Sequence, residues 1–230
     1  CTLTGGLDGD DLLYITLDDG SSWTDITSSV SGTSVSAASQ TLSGTSAINF
    51  KVVDDAGNEL ASTKQAYVLD TTAPTISFGS VDISADTGTS ATDFNTKTAA
   101  QTLTATLSAA MAADDILQVS VDNGNSWTTI TNDVTGTPDV DLSTSITLSG
   151  SSNILLRITD DAGNVGTADT TSYVLDTTAP TSSWTSISDT SLIEGETATL
   201  TVVLSEANSG FTNADITCEN GQVGSLSTSN

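Results

Sequence analysis

The sequence predicts an all-β protein built from tandem sandwich domains, and three observations lead to that prediction. Apolar and polar residues alternate with a period of two along several short segments, as they do in strands with one buried face. Turn-forming Gly, Asn and Asp residues separate these segments. The third observation is internal similarity at a spacing of about 106 residues. A fixed spacing of this kind indicates a repeat architecture.

The composition excludes several classes of function. The chain has 230 residues, with 4 Lys and Arg against 29 Asp and Glu, a formal net charge of −25 and no His. Four scattered cations do not form the basic patch that nucleic acids and anionic membranes require. No apolar run reaches the roughly 20 residues of a membrane helix, so direct membrane insertion is not expected. A hydrophobic fraction of 36 % still supplies enough apolar surface for cores.

Neither catalysis nor a disulfide framework is expected. Without His, the remaining catalytic options are carboxylate pairs or a Ser–Lys pair. The acidic residues recur between copies in predicted turns, which suits a structural role better than a unique active site. Cys1 and Cys218 are too few for a disulfide framework and are expected to be small buried residues.

The repeat is visible in matching segments. Residues 10–23 match residues 114–127 at an offset of 104, and residues 67–75 match residues 173–181 at an offset of 106. We therefore predict three domains. Residues 1–74 form a first copy that lacks its N-terminal part, and residues 75–180 form a complete copy. Residues 181–230 form the N-terminal half of a third copy.

Both ends of the chain are expected to fall inside domains, because the repeat places Cys1 opposite Ala105 and Asn230 before any counterpart of the last turn. Half a sandwich leaves apolar residues uncovered. We expect either further chain or strands of neighbouring chains, added by β-augmentation, to cover them. The uncovered residues are expected to be Leu13, Ile15, Ile48, Phe50, Leu200, Val202 and Leu204.

Each copy is predicted to be a sandwich of about seven short antiparallel strands. Asp19-Gly20 and Asn123-Gly124 supply positive-φ residues for a tight hairpin after the first alternating segment. The Trp that follows each hairpin is expected to be a packing anchor. Short strands at this spacing are typical of an immunoglobulin-like sandwich. The residues expected inside the complete copy are Leu103, Leu107, Leu117, Val119, Val121, Ile154, Leu156 and Ile158.

The repeated motifs resemble those of a known family. Tyr-Val-Leu-Asp-Thr-Thr-Ala-Pro-Thr, preceded by Asp-Asp-Ala-Gly-Asn, resembles the tandem bacterial Ig-like domains of giant repetitive surface adhesins. The segment from Asp86 to Phe94 resembles the early Asp-rich loop of these domains. The segment from Ser191 to Thr197 resembles the corresponding part of domains in a sister subfamily. The resemblance implies a rod that holds an adhesive module away from a Gram-negative cell. It also implies export by a type I system and calcium at domain junctions.

Calcium ligands are expected where Asp-rich turns lie near domain ends. Calcium takes six to eight oxygen ligands, which Asp, Asn and backbone carbonyls supply. The alternative is that these residues only form turns. Candidates at the first junction are Asp54, Asp55, Asn58, Asp70, Asp86 and Asp93. Candidates at the second junction are Asp160, Asp161, Asn164, Asp176, Asp189 and Glu194.

The expected function is that of a structural extender, the stalk or filament segment of a large bacterial surface or extracellular adhesin. Its partners are adjacent Ig-like domains of the same chain or of neighbouring copies. High negative charge suits such an array, because it discourages association of exposed edge strands. Three alternatives stay open: a calcium-dependent glycan- or surface-binding module, a surface-layer protein and a phage fibre protein.

Overall fold

The computed structural model describes residues 2–136, 138–206 and 211–227. The expected positions of Cys1 and Asn230 therefore lie outside the described residues. The predicted fold class is confirmed, since the chain is all-β, with several sheets and an Ig-like sandwich arrangement. It divides into two compact units, Cys1–Leu175 and Asp176–Asn230. The three-domain division remains a prediction.

The first copy forms one main sheet and a small separate hairpin. The sheet order is β2-β1-β5-β6, with β7 also pairing β5, while β3 pairs β4. Leu13, Ile15, Ile26 and Val35 are buried at its core. The strands are β1 (Leu12–Thr16), β2 (Thr24–Asp25), β3 (Val30–Ser31), β4 (Ser34–Val35), β5 (Ser46–Val53), β6 (Glu59–Ala61) and β7 (Gln65–Tyr67).

The complete copy contains two sheets that enclose a larger core. One sheet has the order β13-β14-β10-β8 and the other the order β12-β11-β15-β16-β9. The strands are β8 (Phe78–Ile83), β9 (Asn95–Thr96), β10 (Ala100–Leu107), β11 (Ile116–Ser120), β12 (Thr128–Thr129), β13 (Val134–Gly136), β14 (Asp139–Thr147), β15 (Ser152–Thr159) and β16 (Asp169–Leu175).

The predicted core of the complete copy is confirmed apart from one residue. Leu103 and Leu117 are wholly buried, and every other predicted member except Val121 is buried with them. Val121 follows the end of β11 and is half-buried, because the chain has begun to turn away from the core. The expectation of purely antiparallel pairing is wrong at one edge, where β9 runs parallel to β16.

The tight turn that follows β1 in the first copy and β11 in the complete copy has the same hydrogen bonds in both copies. Ser22 donates through its backbone N and its Oγ to Asp18, at 2.8 and 2.5 Å. Ser126 donates to Asp122 in the same way, at 2.9 and 2.5 Å. The side-chain hydroxyl of each Ser is the main cause that lowers the pKa of its Asp partner, and both carboxyls have a pKa of about 2.

A tyrosine near the end of each copy ties the sheet to this turn. Tyr173 donates from its hydroxyl to the carbonyl O of Val121 at 2.8 Å, and Tyr67 donates to Leu17 O at 2.7 Å. The two tyrosines also pair with equivalent residues, Ser152 and Ser46, on the neighbouring strand. The repeat is therefore reproduced in hydrogen bonds as well as in sequence.

The Trp of each copy stacks with a cation on the outer face of the same sheet. The Lys51 ammonium lies 4.8 Å from the centroid of the Trp23 ring. The Arg157 guanidinium lies 3.7 Å from the Trp127 ring centroid. Each Trp is half-buried, which is consistent with its expected role in packing.

The second unit contains the hairpin of β17 (Ser182–Ile187) and β18 (Leu200–Leu204). A backbone hydrogen bond beside the strands of this hairpin has an equivalent beside the β8–β10 pair. Ser205 N donates to Thr181 O at 2.9 Å, as Ser108 N donates to Ser77 O at 2.9 Å. Both pairings also have one register shift. The second unit therefore begins as the complete copy begins.

The apolar faces that were expected to be uncovered differ between the two units. Leu13 and Ile15 are buried against Ile26 and Val35, so the expectation that these two residues are uncovered is wrong, and Ile48 and Phe50 are half-buried. In the second unit, Leu200 and Val202 are 45 % and 43 % exposed, and Leu204 is half-buried. Cys218 is exposed, so the expectation that it is a buried residue is wrong. Added strands from neighbouring chains remain a prediction.

Candidate functional site at the ends of the complete copy

The Asp-Asp-Ala-Gly-Asn run forms a closed turn between β15 and β16. Asn164 donates to Asp160 twice, from its backbone N to Oδ1 at 2.8 Å and from Nδ2 to Oδ2 at 2.9 Å. Asp160 N donates back to Asn164 O at 3.1 Å. The Asn164 side-chain bond is the main cause that lowers the pKa of the Asp160 carboxyl. Both carboxylate oxygens thus already serve the turn.

The matching turn of the first copy is built in the same way. Asn58 donates to the two oxygens of Asp54 at 2.7 and 2.8 Å, and its side-chain bond is the main cause that lowers the pKa of Asp54. Gly57 and Gly163 both have positive φ, at 84° and 91°. Asp55 and Asp161 are exposed. These contacts account for the motif as turn chemistry.

The linker before the complete copy lies against the Asp160–Asn164 turn. Asn164 Nδ2 donates to the carbonyl O of Asp70 at 3.2 Å. Farther along the linker, Pro74 lies close to Gly166 of the complete copy. A Cβ built on Gly166 would lie 2.7 Å from Pro74 O. The Asp70 carboxylate accepts from Thr72 N at 2.8 Å. We call this end of the complete copy the near end.

The Asp-rich loop of residues 84–96 lies at the opposite end of the same domain. Val174 N donates to Phe94 O at 3.0 Å, and β9 pairs with Val174 and Leu175 at the end of β16. The carboxylate of Asp93 accepts from Asn95 N at 3.1 Å. We call this the far end.

Asp86 is the one candidate with a buried carboxylate oxygen that has no hydrogen-bond partner in the described part of the chain. Its Oδ2 accepts from Phe94 N at 2.9 Å. Its Oδ1 is buried and has no hydrogen-bond partner there. A buried carboxylate oxygen without a partner is costly, so this atom stands out from the other candidates.

The structure regroups the predicted candidates within the first unit. Asp86 and Asp93 were expected beside Asp70, but they lie at the far end of the domain that follows Asp70. Asn164 was expected beside Asp176, but it contacts Asp70. The reason is that β16 has 7 residues, or about 23 Å at about 3.3 Å per residue, between its preceding turn and its end. A turn before a strand cannot lie beside the residue after it.

The remaining candidates belong to the second unit, Asp176–Asn230. The Asp176 carboxylate accepts from Thr178 N, and that of Asp189 accepts from Ser191 N, both at 2.8 Å. Glu194 is exposed. Over residues 2–136, 138–206 and 211–227, no three His, Cys, Asp or Glu side chains form a group suited to a metal ion. Calcium binding stays a prediction.

The sequence did not lead us to predict the close approach of Gly166 and Pro74 at the near end. A signal was available, because Gly166 stands where the first copy has Leu60. Leu60 is 75 % exposed, so the position itself accepts a large side chain. The difference between the two copies indicates that the linker requires space at Gly166.

Comparison with known proteins gives a family match for the C-terminal part of the chain. Residues 176–230 match the model of a family described as a bacterial Ig-like domain. The second unit thus carries the signature of that family. Bacterial Ig-like domains are structural modules, typically of extracellular or surface proteins, and are not a catalytic kind of domain. No curated protein matches the chain. None of the described segments forms a helix with the length and apolarity to cross a bilayer.

Proposed function

We propose that the chain is a structural extender, a stalk or filament segment of a large bacterial adhesin on the cell surface or outside the cell. The observation that carries this proposal is the repetition of the same sheet, with the same tight turn and tyrosine bond, in two copies with separate hydrophobic clusters. An array of similar domains with their own cores spans distance without requiring a unique site. The family match of the second unit supports such a structural role.

Two further features support an extender. The linker from Asp70 to Pro74 ends in a proline, which restricts the backbone between the copies. The formal charge of −25 makes close association of several chains unfavourable. Both features favour separated domains within one long chain.

Calcium is proposed as a second component of the same function, bound at the far end of the complete copy. The unpartnered Oδ1 of Asp86 supports this proposal. A divalent cation would compensate a buried carboxylate oxygen that no described donor satisfies. Asp86 would be a ligand, and the nearby loop would supply other oxygens.

The extender proposal is tested by the radius of gyration of the 230-residue chain in small-angle X-ray scattering. A compact chain of this length would have a radius of gyration of about 17 Å, and an unfolded chain one of about 52 Å. An extender gives a value well above the compact one, with the scattering curve of a folded, elongated particle. A value close to about 17 Å would contradict the proposal.

The calcium proposal is tested by the melting temperature with calcium and with a chelator. A ligand that binds only the folded state raises the melting temperature. We expect Asp86→Asn to abolish this increase and the exposed-turn control Asp161→Asn to retain it. An unchanged melting temperature in the native chain would remove calcium from the account, and an equal calcium effect in Asp86→Asn would remove the far-end site at Asp86. Neither result would affect the extender.

A further inference from the structure

We propose that Asn164 and Gly166 position the linker that precedes the complete copy and thereby set the orientation between the first copy and the complete copy. We call the contact of these two residues with Asp70 and Pro74 the linker clasp. This inference rests on the proposed extender function, which requires a defined direction from one domain to the next. It assigns that role to a turn of the domain and requires no metal.

Asn164 is oriented for this contact by its own turn. Its backbone N and its Nδ2 both donate to Asp160, at 2.8 and 2.9 Å. An amide nitrogen has two hydrogens, so Nδ2 can also donate to Asp70 O at 3.2 Å. The two residues of this second bond are 94 positions apart in the chain. An Asp at position 164 would lack these side-chain donors and would place a second carboxylate beside Asp160.

Gly166 is needed for space. A Cβ at this position would lie 2.7 Å from Pro74 O and 3.3 Å from Ile158 O. Gly166 cannot move away freely, because its backbone N donates to Ile158 O, near the end of β15, at 2.8 Å. Any larger residue at 166 would therefore displace the linker at Pro74.

The two contacts act on different points of one linker. Asp70 and Pro74 are four positions apart, and the Asp70–Thr72 bond shapes the segment between them. A single contact would leave the linker free to pivot about it. Contacts at two separated points fix its direction across the near end of the domain, and the proline reduces the remaining backbone freedom.

The first copy provides matched controls. Asn58 makes the same two bonds to its turn Asp as Asn164 does. In the described residues its side chain has no bond to a linker. Leu60 occupies the position of Gly166 and is exposed. Asn58→Ala and Leu60→Gly therefore alter the equivalent turn and the equivalent repeat position without altering the clasp.

The clasp is tested by double electron–electron resonance on the whole chain. Nitroxide labels are placed at the exposed residues Thr45 and Thr104, one in each copy, after replacement of Cys1 and Cys218 by Ser. We expect a narrow distance distribution in the native background. Asn164→Ala should broaden it and Gly166→Leu should shift or broaden it, whereas Asn58→Ala and Leu60→Gly should leave it unchanged.

Amide exchange of β15 and β16 shows whether each variant retains the fold, and Gly166→Ala replaces Gly166→Leu if the larger residue prevents folding. Distributions of Asn164→Ala and of the Gly166 variant that match the native one would overturn the clasp. So would equal broadening by Asn58→Ala. If scattering shows an elongated chain but the variants leave the distance distributions unchanged, the clasp is contradicted and the extender is not. If scattering shows a compact chain but the Asn164 and Gly166 variants still change the distance distribution, the extender is contradicted and the clasp is supported.

Discussion

The first and the complete copy contain the same sheet, but they differ in the sheet that packs against it, which has the two short strands β3 and β4 in the first copy and the four strands β13-β14-β10-β8 in the complete copy. Strands β1, β5 and β7 correspond to β11, β15 and β16, with equivalent cross-strand partners. Ile154 and Leu156 are only 1 % and 2 % exposed, whereas their counterparts Ile48 and Phe50 are half-buried. The comparison shows that alternation determines the strand and its inward face, while the opposing sheet determines how much of that face is buried.

The local features of the sheet do not depend on the opposing sheet. The Asp18 and Asp122 turns have bonds of nearly equal length, and so do the Asp54 and Asp160 turns. These structures form from residues close in sequence. We therefore expect substitutions in the core to distinguish the copies and substitutions in the turns to affect both alike.

The largest expected difference is at Ile154. Ile154→Ala should reduce the free energy of unfolding of the complete copy by about 2–5 kcal/mol, the usual range for a large buried aliphatic residue. Ile48→Ala should cost less than half as much, because Ile48 is half-buried. Unfolding in urea is monitored by hydrogen exchange with mass spectrometry, which measures the free energy of unfolding of each copy separately. Equal losses would show that the first copy is as well packed as the complete one.

A smaller difference is expected at the tyrosines. Tyr173 is 2 % exposed, so Tyr173→Phe leaves the Val121 carbonyl without its 2.8 Å donor in a buried site. We expect a loss of about 1–3 kcal/mol for this variant. Tyr67 is half-buried and water can replace its hydroxyl, so Tyr67→Phe should cost about 1 kcal/mol or less. The same unfolding assay measures both, and the reverse order would contradict the difference in burial.

No difference between the copies is expected at Asp18 and Asp122. Their pKa values of about 2 in the folded chain lie below the ordinary 3.8. A lowered folded pKa stabilises the fold above the unfolded pKa, and this contribution is lost as the pH falls from about 4 towards about 2. Carboxyl chemical shifts in an NMR titration should give the two residues similar midpoints. A midpoint near 4 for either residue would show that its turn is open.

Much of the fold could be predicted because it depends on local patterns. The alternation around Leu117 and Ile154 gave both the strands and their buried faces, and Asn123-Gly124 marked a hairpin whose φ values are 59° and 84°. Val121 was assigned to the interior by continuing the alternation past the end of β11, and Cys218 was assigned there from its residue type. Their burial depends on where the chain turns away, which neither the alternation nor the residue type specifies.

The candidate site was less predictable because it depends on which ends of the strands meet. The length of β16 and its preceding turn were enough to place Asp160 away from Asp176, so that regrouping could have been made from the sequence. The bond from Asn164 to Asp70 could not, because it joins residues 94 positions apart and depends on the path of the linker. The unpartnered Asp86 Oδ1 is likewise a property of the folded loop.

The most direct test of the account is mechanical, since an extender works under tension and the complete copy should be an independent two-sheet unit. The chain is pulled from its two ends in optical tweezers. We expect the complete copy to unfold in one cooperative step that releases about 100 residues, or somewhat less than about 330–360 Å of contour length, after the first copy has yielded at lower force. Gradual lengthening without such a step, or a single step in which both copies unfold together, would contradict the account.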